Sequence, residues 1–435
     1  MIGSNAAAST TALPADPAVI LPMRQRAEVI DALLRRRLDQ IVPKLMRRHD
    51  IDMWIVIGRE YNEDPVLKTM LPATWHAARR RTILVFHDPG APAEIERLAV
   101  SRYPVADFFA SSWDPNAQPS QWARLAEIIQ ARNPKRIGLN ISETWAHADG
   151  LAHSQFEALQ QALPGQLRQR VASAEPLAVG WLETRLPEEM DIYASACRIA
   201  HEIMAQALSE RAIQPGVTTT DDVKWWCRER VNQLGLQDWF HPIVSLQREA
   251  GEANFLEMMA GGEQIIQRGD LIHLDMGIEY LRLHTDTQQM AYVLKPGESE
   301  PPAGLQQAFR RGNQMQDILT AHLKEGRTGN DVLGLALAEA KSRGINAMVY
   351  AHPVGSHGHA AGPAIGMWDQ QGGVPGTGEY PIHDNTAYAI ELSILEPIPE
   401  WGGKEVRIML EEDAVLQDGR VTYLDGRQTE LHVIK

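Results

Sequence analysis

The chain has 435 residues, long for one domain, and its 44% hydrophobic and 23% charged residues suit a globular protein of two or three domains. Acidic residues exceed basic ones to a net charge of −14, which argues against nucleic acid or an anionic membrane as the main partner. Its two cysteines, Cys197 and Cys227, form no CxxC pair, which excludes a zinc ribbon or disulfide scaffold, and no apolar run approaches the ~18 residues of a membrane span.

Residues 1–20 are small, polar and proline-containing, without the basic region and apolar core of a signal peptide. They read as a disordered or tag-like N-terminus, which leaves the compartment open between cytoplasmic and, if a leader has been removed, periplasmic. From Arg24 to Asp50 the apolar spacing is helical, with a basic, solvated face. "IDMWIVIG" (51–58) and "RTILVFHDPG" (81–90) read as strands, followed by a helix at 118–132 and a strand at "KRIGLNIS" (135–142). This alternation predicts an α/β domain over residues 21–180. At 187–189 a proline followed by two glutamates marks the start of a long helix, and a Thr/Asp cap after "QPGV" starts a second. The pattern turns to sheet from Gly269, returns to helix over 303–343, and ends in glycine-rich loops and strands, giving a second domain over 181–435.

Within "HLDMGIEYLRLHTDTQQ" (273–289), alternation places His273 and Asp275 on one strand face. A bend at Gly277 lets "EYLRLHTDT" return as a partner strand carrying His284 and Asp286. On their own the two aspartates could be exposed turn residues; facing one site, they repel unless a cation or shared proton lies between them. Downstream, "YAHPVGSHGHAAGPAIGMWD" (350–369) holds His352, His357 and His359 among glycines that allow close backbone approach. Two apolar strands are predicted at "NTAYAIELSI" (385–394), interrupted by Glu391, and "EVRIMLEEDAVL" (405–416), carrying Glu411 and Glu412. Taken together, Asp275, Asp286, His352, Glu391 and Glu411 are mostly hard oxygen donors and too many for one tetrahedral zinc. They suit two divalent ions, with manganese favoured and cobalt or zinc also possible, ~3.5–4 Å apart and sharing a water.

The order Asp, eleven residues, Asp, a histidine in a glycine-rich loop and two late glutamates resembles the pita-bread metallopeptidases, the family of methionine aminopeptidase, Xaa-Pro aminopeptidase, prolidase and creatinase. The resemblance covers essentially residues 20–435 and lies with the proline-peptidase branch. It implies a creatinase-like α/β domain before an α+β pita-bread domain with a curved, mainly antiparallel sheet. By it, Asp286 and Glu411 would bridge two metal ions, Asp275 would chelate one, and His352 with Glu391 would hold the other. His359, seven residues after His352, would contact substrate, and Glu391 would pass a proton from a bridging water to the leaving amine. The implied activity is that of an Xaa-Pro aminopeptidase or dipeptidase acting on small peptides, as a homodimer or larger assembly. Rival readings are a pita-bread hydrolase of a non-peptide amide or ester, which works without metal in the creatinases, and a non-catalytic binding relative; retention of all five ligands weighs against both the metal-free mechanism and the binding role.

Three departures concern the shell that would face substrate. The proline-specific members carry a histidine about seventeen residues before the first aspartate, where this chain has "EANFLEMMAGG" and its nearest histidine is His241. The Thr-Arg pair after the second aspartate has become Gln288-Gln289, and the usual "EPG" after the fourth ligand is "ELS". His273 and His284 have no family counterpart and read as satisfied core histidines or outer donors to the ligands. Trp225, Trp226 and Trp368 read as packing.

Overall fold

The computed structural model describes residues 20–250 and 262–435. The N-terminal reading over residues 1–19 and nearly all of "EANFLEMMAGG" lie outside the described residues.

The first half is a six-stranded mixed sheet of β1 (Met53–Arg59), β2 (Arg81–His87), β3 (Glu96–Ser101), β4 (Ala110–Ser111), β5 (Ile137–Leu139) and β6 (Val171–Ser173), in the order β4-β3-β2-β1-β5-β6. Its helices are α1 (Met23–Arg48), α2 (Pro65–Thr69), α3 (Gln121–Arg132), α4 (His153–Ala162), α5 (Gly165–Arg168) and α6 (Glu175–Glu183). The apolar run of β1 is explained by helices on both faces. Trp54 and Val56 pack with Leu38, Leu45 and Leu177 of α1 and α6. Met53, Ile55 and Ile57 point the other way, against Leu125 and Ile129 of α3 and Leu159 of α4. The core on the α1 side continues through Leu182 and Leu186, so α6 belongs to this half.

The second half opens with α7 (Pro187–Ala207), where Glu189 accepts the N–H of Leu186 at 2.7 Å, and α8 (Thr220–Gln233), where Thr219 and Asp222 cap each other's N–H groups. Its strands are β7 (Gln237–Asp238), β8 (Ile243–Gln247), β9 (Leu271–Met276), β10 (Ile278–Tyr280), β11 (Leu283–His284) and β12 (Thr287–Val293), then β13 (Asn346–Val349) to β20, after helices α9 (Ala303–His322) and α10 (Gly329–Ser342). The late strands are β14 (His352–Pro353), β15 (Thr386–Ala389), β16 (Leu392–Ile398), β17 (Lys404–Leu410), β18 (Asp413–Gln417), β19 (Arg420–Tyr423) and β20 (His432–Ile434). They form the ladders β20-β12-β9-β8, β14-β15-β18-β19, β13-β16-β17 and β11-β10-β7, antiparallel except where β20 joins β12. One core lies under α7 and α8 and another under α9 and α10, with the sheet between them.

Each predicted long strand is split. "NTAYAIELSI" breaks at Ile390-Glu391, and "EVRIMLEEDAVL" breaks at Glu411-Glu412, where the chain passes from one ladder to the next. The return from Gly277 is likewise broken, into β10, β11 and β12, so Asp286 lies just ahead of β12, and Gln288 rather than Asp286 stands opposite Asp275 in the ladder. Asp286, Glu391 and Glu411 thus lie at corners of a curving sheet, where one ladder gives way to the next, while Asp275 stays within β9, paired on both sides.

The halves are joined by buried charge. Arg37 of α1 meets Glu189 of α7 at 2.8 Å, beside Arg185, with all three buried. Arg282, in a turn where both Leu281 and Arg282 have positive φ, donates to the carbonyls of Leu71 and Pro72 at 2.6 and 3.1 Å.

Candidate metal centre

Asp275 comes from the end of β9 and Asp286 from the residue just ahead of β12, the β15–β16 and β17–β18 breaks present Glu391 and Glu411, and β14 presents His352. All five side chains meet. Donor atoms of Asp275, Asp286 and Glu411 lie within 4.8 Å of one another, as do those of His352, Glu391 and Glu411, so Glu411 is common to both groups. His352 Nε2 stands 3.5 Å from Asp286 Oδ2 and 3.7 Å from Glu411 Oε1. Its Nδ1 is 2.9 Å from the Pro353 carbonyl, an acceptor only, so Nδ1 carries the proton and Nε2 is left as a lone pair.

Electrostatically the cluster is a problem without cations. Burial, reinforced by the neighbouring carboxylates, pushes Asp275, Asp286 and Glu391 well above the ordinary range and Glu411 to about 8. Asp275 Oδ1, Glu411 Oε1 and His352 Nε2 are buried with no hydrogen-bond partner. Orphaned acceptors that converge are costly in a protein interior. They are the donor set a pair of divalent ions would satisfy, so the residues fit the group. His359, open to solvent, has its ring 4.7 Å from His352 and edge-on to it, and its donor atom groups with those of Asp286 and His352.

Several contributors escaped sequence reading. Asp413 accepts the N–H of Asp286 at 3.1 Å and contacts Cys197 Sγ. Glu412 points away from the centre to His201 Nε2 at 2.7 Å, and Asp425 takes Nδ1 at 2.9 Å. Burial alone would lower His201, but these two carboxylates raise it to about 10. The acid run Glu411-Glu412-Asp413 within an apolar stretch was the available signal. Gln288, noted only as a departure, donates to Glu391 Oε1 at 2.6 Å and Glu411 Oε2 at 2.9 Å.

Of the two unassigned histidines, His273 is buried and bonded on both nitrogens, to Gln288 and Ser245. His284 is not satisfied: its Nδ1 has no partner, and its Nε2 lies 3.7 Å from Glu279. Its ring stacks 6.4 Å from that of His357, which in turn lies 4.6 Å from His147 of the first half. Trp239, unremarked in the sequence, fills the space between His284 and His359, with Gly277 and Gly358 against its indole. Trp225 and Trp368 are about half exposed, at 51% and 47%, and His241 lies against Trp225 at the surface.

The model of metallopeptidase family M24 matches residues 191–418, more than half of the chain. The chain belongs to that family. Among curated relatives, "Uncharacterized peptidase YqhT" of Bacillus subtilis (strain 168) is 23% identical over 260 residues, 56% of this chain and 61% of that protein, so the match spans less than two thirds of that relative's length. Among solved structures, the X-Pro aminopeptidase from Thermotoga maritima MSB8 superposes with a TM-score of 0.62 at 16% identity, covering 90% of this chain and 99% of that one. The Xaa-Pro dipeptidase from Bacillus anthracis gives a TM-score of 0.62 at 14% identity, covering 95% and 100%. These likenesses establish the two-part fold expected from the sequence, an α/β half followed by a pita-bread half. Members of family M24 generally use divalent metals, and the acid-and-imidazole groups described above could bind them. No helix among the described residues is long and apolar enough to cross a membrane.

Proposed function

We propose that this protein is a hydrolase dependent on two divalent ions that cleaves short Xaa-Pro peptides, as an aminopeptidase or a dipeptidase. The observation that carries the reading is the pair of donor groups sharing Glu411, with buried donor atoms that no protein group satisfies. Asp275 would serve one ion, His352 and Glu391 the other, and Asp286 and Glu411 both. Manganese is favoured by a set of four carboxylates and one imidazole.

When bound, such ions supply Lewis acidity, lowering the pKa of water and polarising a carbonyl. The chain supplies the rest. Glu391, held on Oε1 by Gln288, has its other oxygen for the centre, where it would both face its ion and pass a proton to the leaving amine. His359, at the open side of the cluster, is placed to hydrogen-bond a substrate carbonyl. His352 cannot act as that donor, because its only N–H is committed to Pro353. A homodimer or larger assembly belongs to the proposal through the resemblance alone. A second reading, an amide or ester other than a prolyl peptide, is favoured by one observation: a glutamine, not a threonine, reaches the glutamates.

Digestion of a peptide library by manganese-loaded protein tests the proposal. Cleavage confined to Xaa-Pro bonds, with near two equivalents of ion lost together with activity in Asp286→Ala, is the expected result. Bound ions without cleavage of any Xaa-Pro peptide would replace it with the second reading.

A further inference from the structure

The chemistry above leaves His273 without a task and treats Gln288 as a mere departure, yet both are fully enclosed. Gln288 is 0% exposed, His273 1% and Ser245 4%, so no solvent water can replace the bonds they make. We propose that Ser245, His273 and Gln288 form a directional hydrogen-bond relay that aims Glu391 and Glu411 at the ions, making Gln288 a positioning residue of the metal centre. The inference rests on reading those two glutamates as ligands.

The direction of every bond follows from the acceptor at the end. Ionised carboxylates only accept, so the atom of Gln288 facing Glu391 Oε1 at 2.6 Å and Glu411 Oε2 at 2.9 Å is the amide nitrogen, one N–H for each. The amide oxygen is thereby turned to His273 Nε2 at 2.8 Å, which must carry the ring proton. Nδ1 is then an acceptor, and it faces the Ser245 hydroxyl at 3.3 Å. β8, β9 and β12 are neighbouring strands, with Ser245 opposite His273 and Gln288 opposite Asp275, so the relay runs across the sheet on fixed backbones.

The result is a choice of oxygens. With Glu411 Oε2 occupied, Oε1 is the atom left bare, 3.7 Å from the His352 lone pair, on the side where the other donors converge. The Gln288 backbone N–H also donates to the Glu411 carbonyl at 3.0 Å, so one residue holds this glutamate by main chain and side chain together. The relay brings protons without charge. An arginine or lysine there would instead compete with the ions for the same carboxylates.

Calorimetric titration of the metal-free protein with Mn²⁺, alongside thermal melts, tests the relay. Gln288→Ala and His273→Leu are expected to bind Mn²⁺ about 10- to 100-fold more weakly. His273→Gln, whose side-chain amide can offer an N–H from nearly the same place as Nε2, is expected to stay within about threefold of wild type. Wild-type affinity in both Gln288→Ala and His273→Leu overturns the proposal, as does a His273→Gln variant as weak as His273→Leu, which would reduce His273 to filling space. Wild-type protein that takes up no ion would overturn the metal centre and the relay together. Intact ion binding with the predicted variant losses, but no Xaa-Pro cleavage, would leave the relay standing and remove only the peptidase reading.

Discussion

Stripping the ions and raising the pH should destabilise this protein more than either change alone. Burial raises Glu411 from 4.5 to about 8, and Asp275, Asp286 and Glu391 move in the same direction. A carboxyl whose folded pKa lies above its unfolded value contributes stability that is complete below the unfolded value and is lost as pH rises through the folded one. For Glu411 the window is therefore 4.5 to about 8. At ~1.36 kcal/mol per pH unit the loss from this one group is on the order of 5 kcal/mol, a large part of the ~5–15 kcal/mol that holds a typical protein folded. For a chain of 435 residues that corresponds to a fall in Tm on the order of 5 °C between pH 5 and 9. Bound ions hold the same carboxylates ionised in the folded state and remove the window. His201, raised to about 10, loses stability between 6.5 and about 10, but it does so in both forms and cancels in the comparison. The assay is a pair of melting curves across pH, one in chelator and one in excess manganese. Parallel curves would refute the reasoning, since the cluster would then not be titrating with its ions.

Further outcomes are expected elsewhere. Glu189→Ala leaves Arg37 and Arg185 buried at the junction of the two halves without their carboxylate, and should reduce unfolding stability by about 3–5 kcal/mol in chemical denaturation. Gly358→Ala places a methyl group about 2 Å from the Trp239 indole, and should weaken substrate turnover through movement of Trp239 and His359 while leaving ion stoichiometry unchanged. Metal analysis beside kinetics separates those two effects. Asp275→Asn removes one repelling charge, and should raise the Tm of the metal-free protein at pH 8 while lowering ion uptake, read by melts and metal analysis on the same sample.

Much of the architecture was readable because it is local. The alternation in β1, the proline and glutamates opening α7, and the Thr/Asp cap of α8 each state their structure within a few residues. The strand breaks at Glu391 and Glu411 were not readable. An apolar run shows no sign that its hydrogen bonds pass from one partner strand to another, because that depends on which strands flank it. Trp225 and Trp368 misled for a related reason: large apolar residues are expected inside, and only their neighbours in space reveal that these two are exposed.

By itself the sequence picked out which acids and which imidazole had no business in an apolar setting, and hence where cations were to be expected; desolvation is a property of residue type and context along the chain. Tertiary structure alone decided which oxygen of each glutamate is free. That choice is made by Gln288, separated from Glu391 and Glu411 by 103 and 123 residues, and a hydrogen bond of less than 3 Å between such distant positions exists only once the sheet has curved to bring them together.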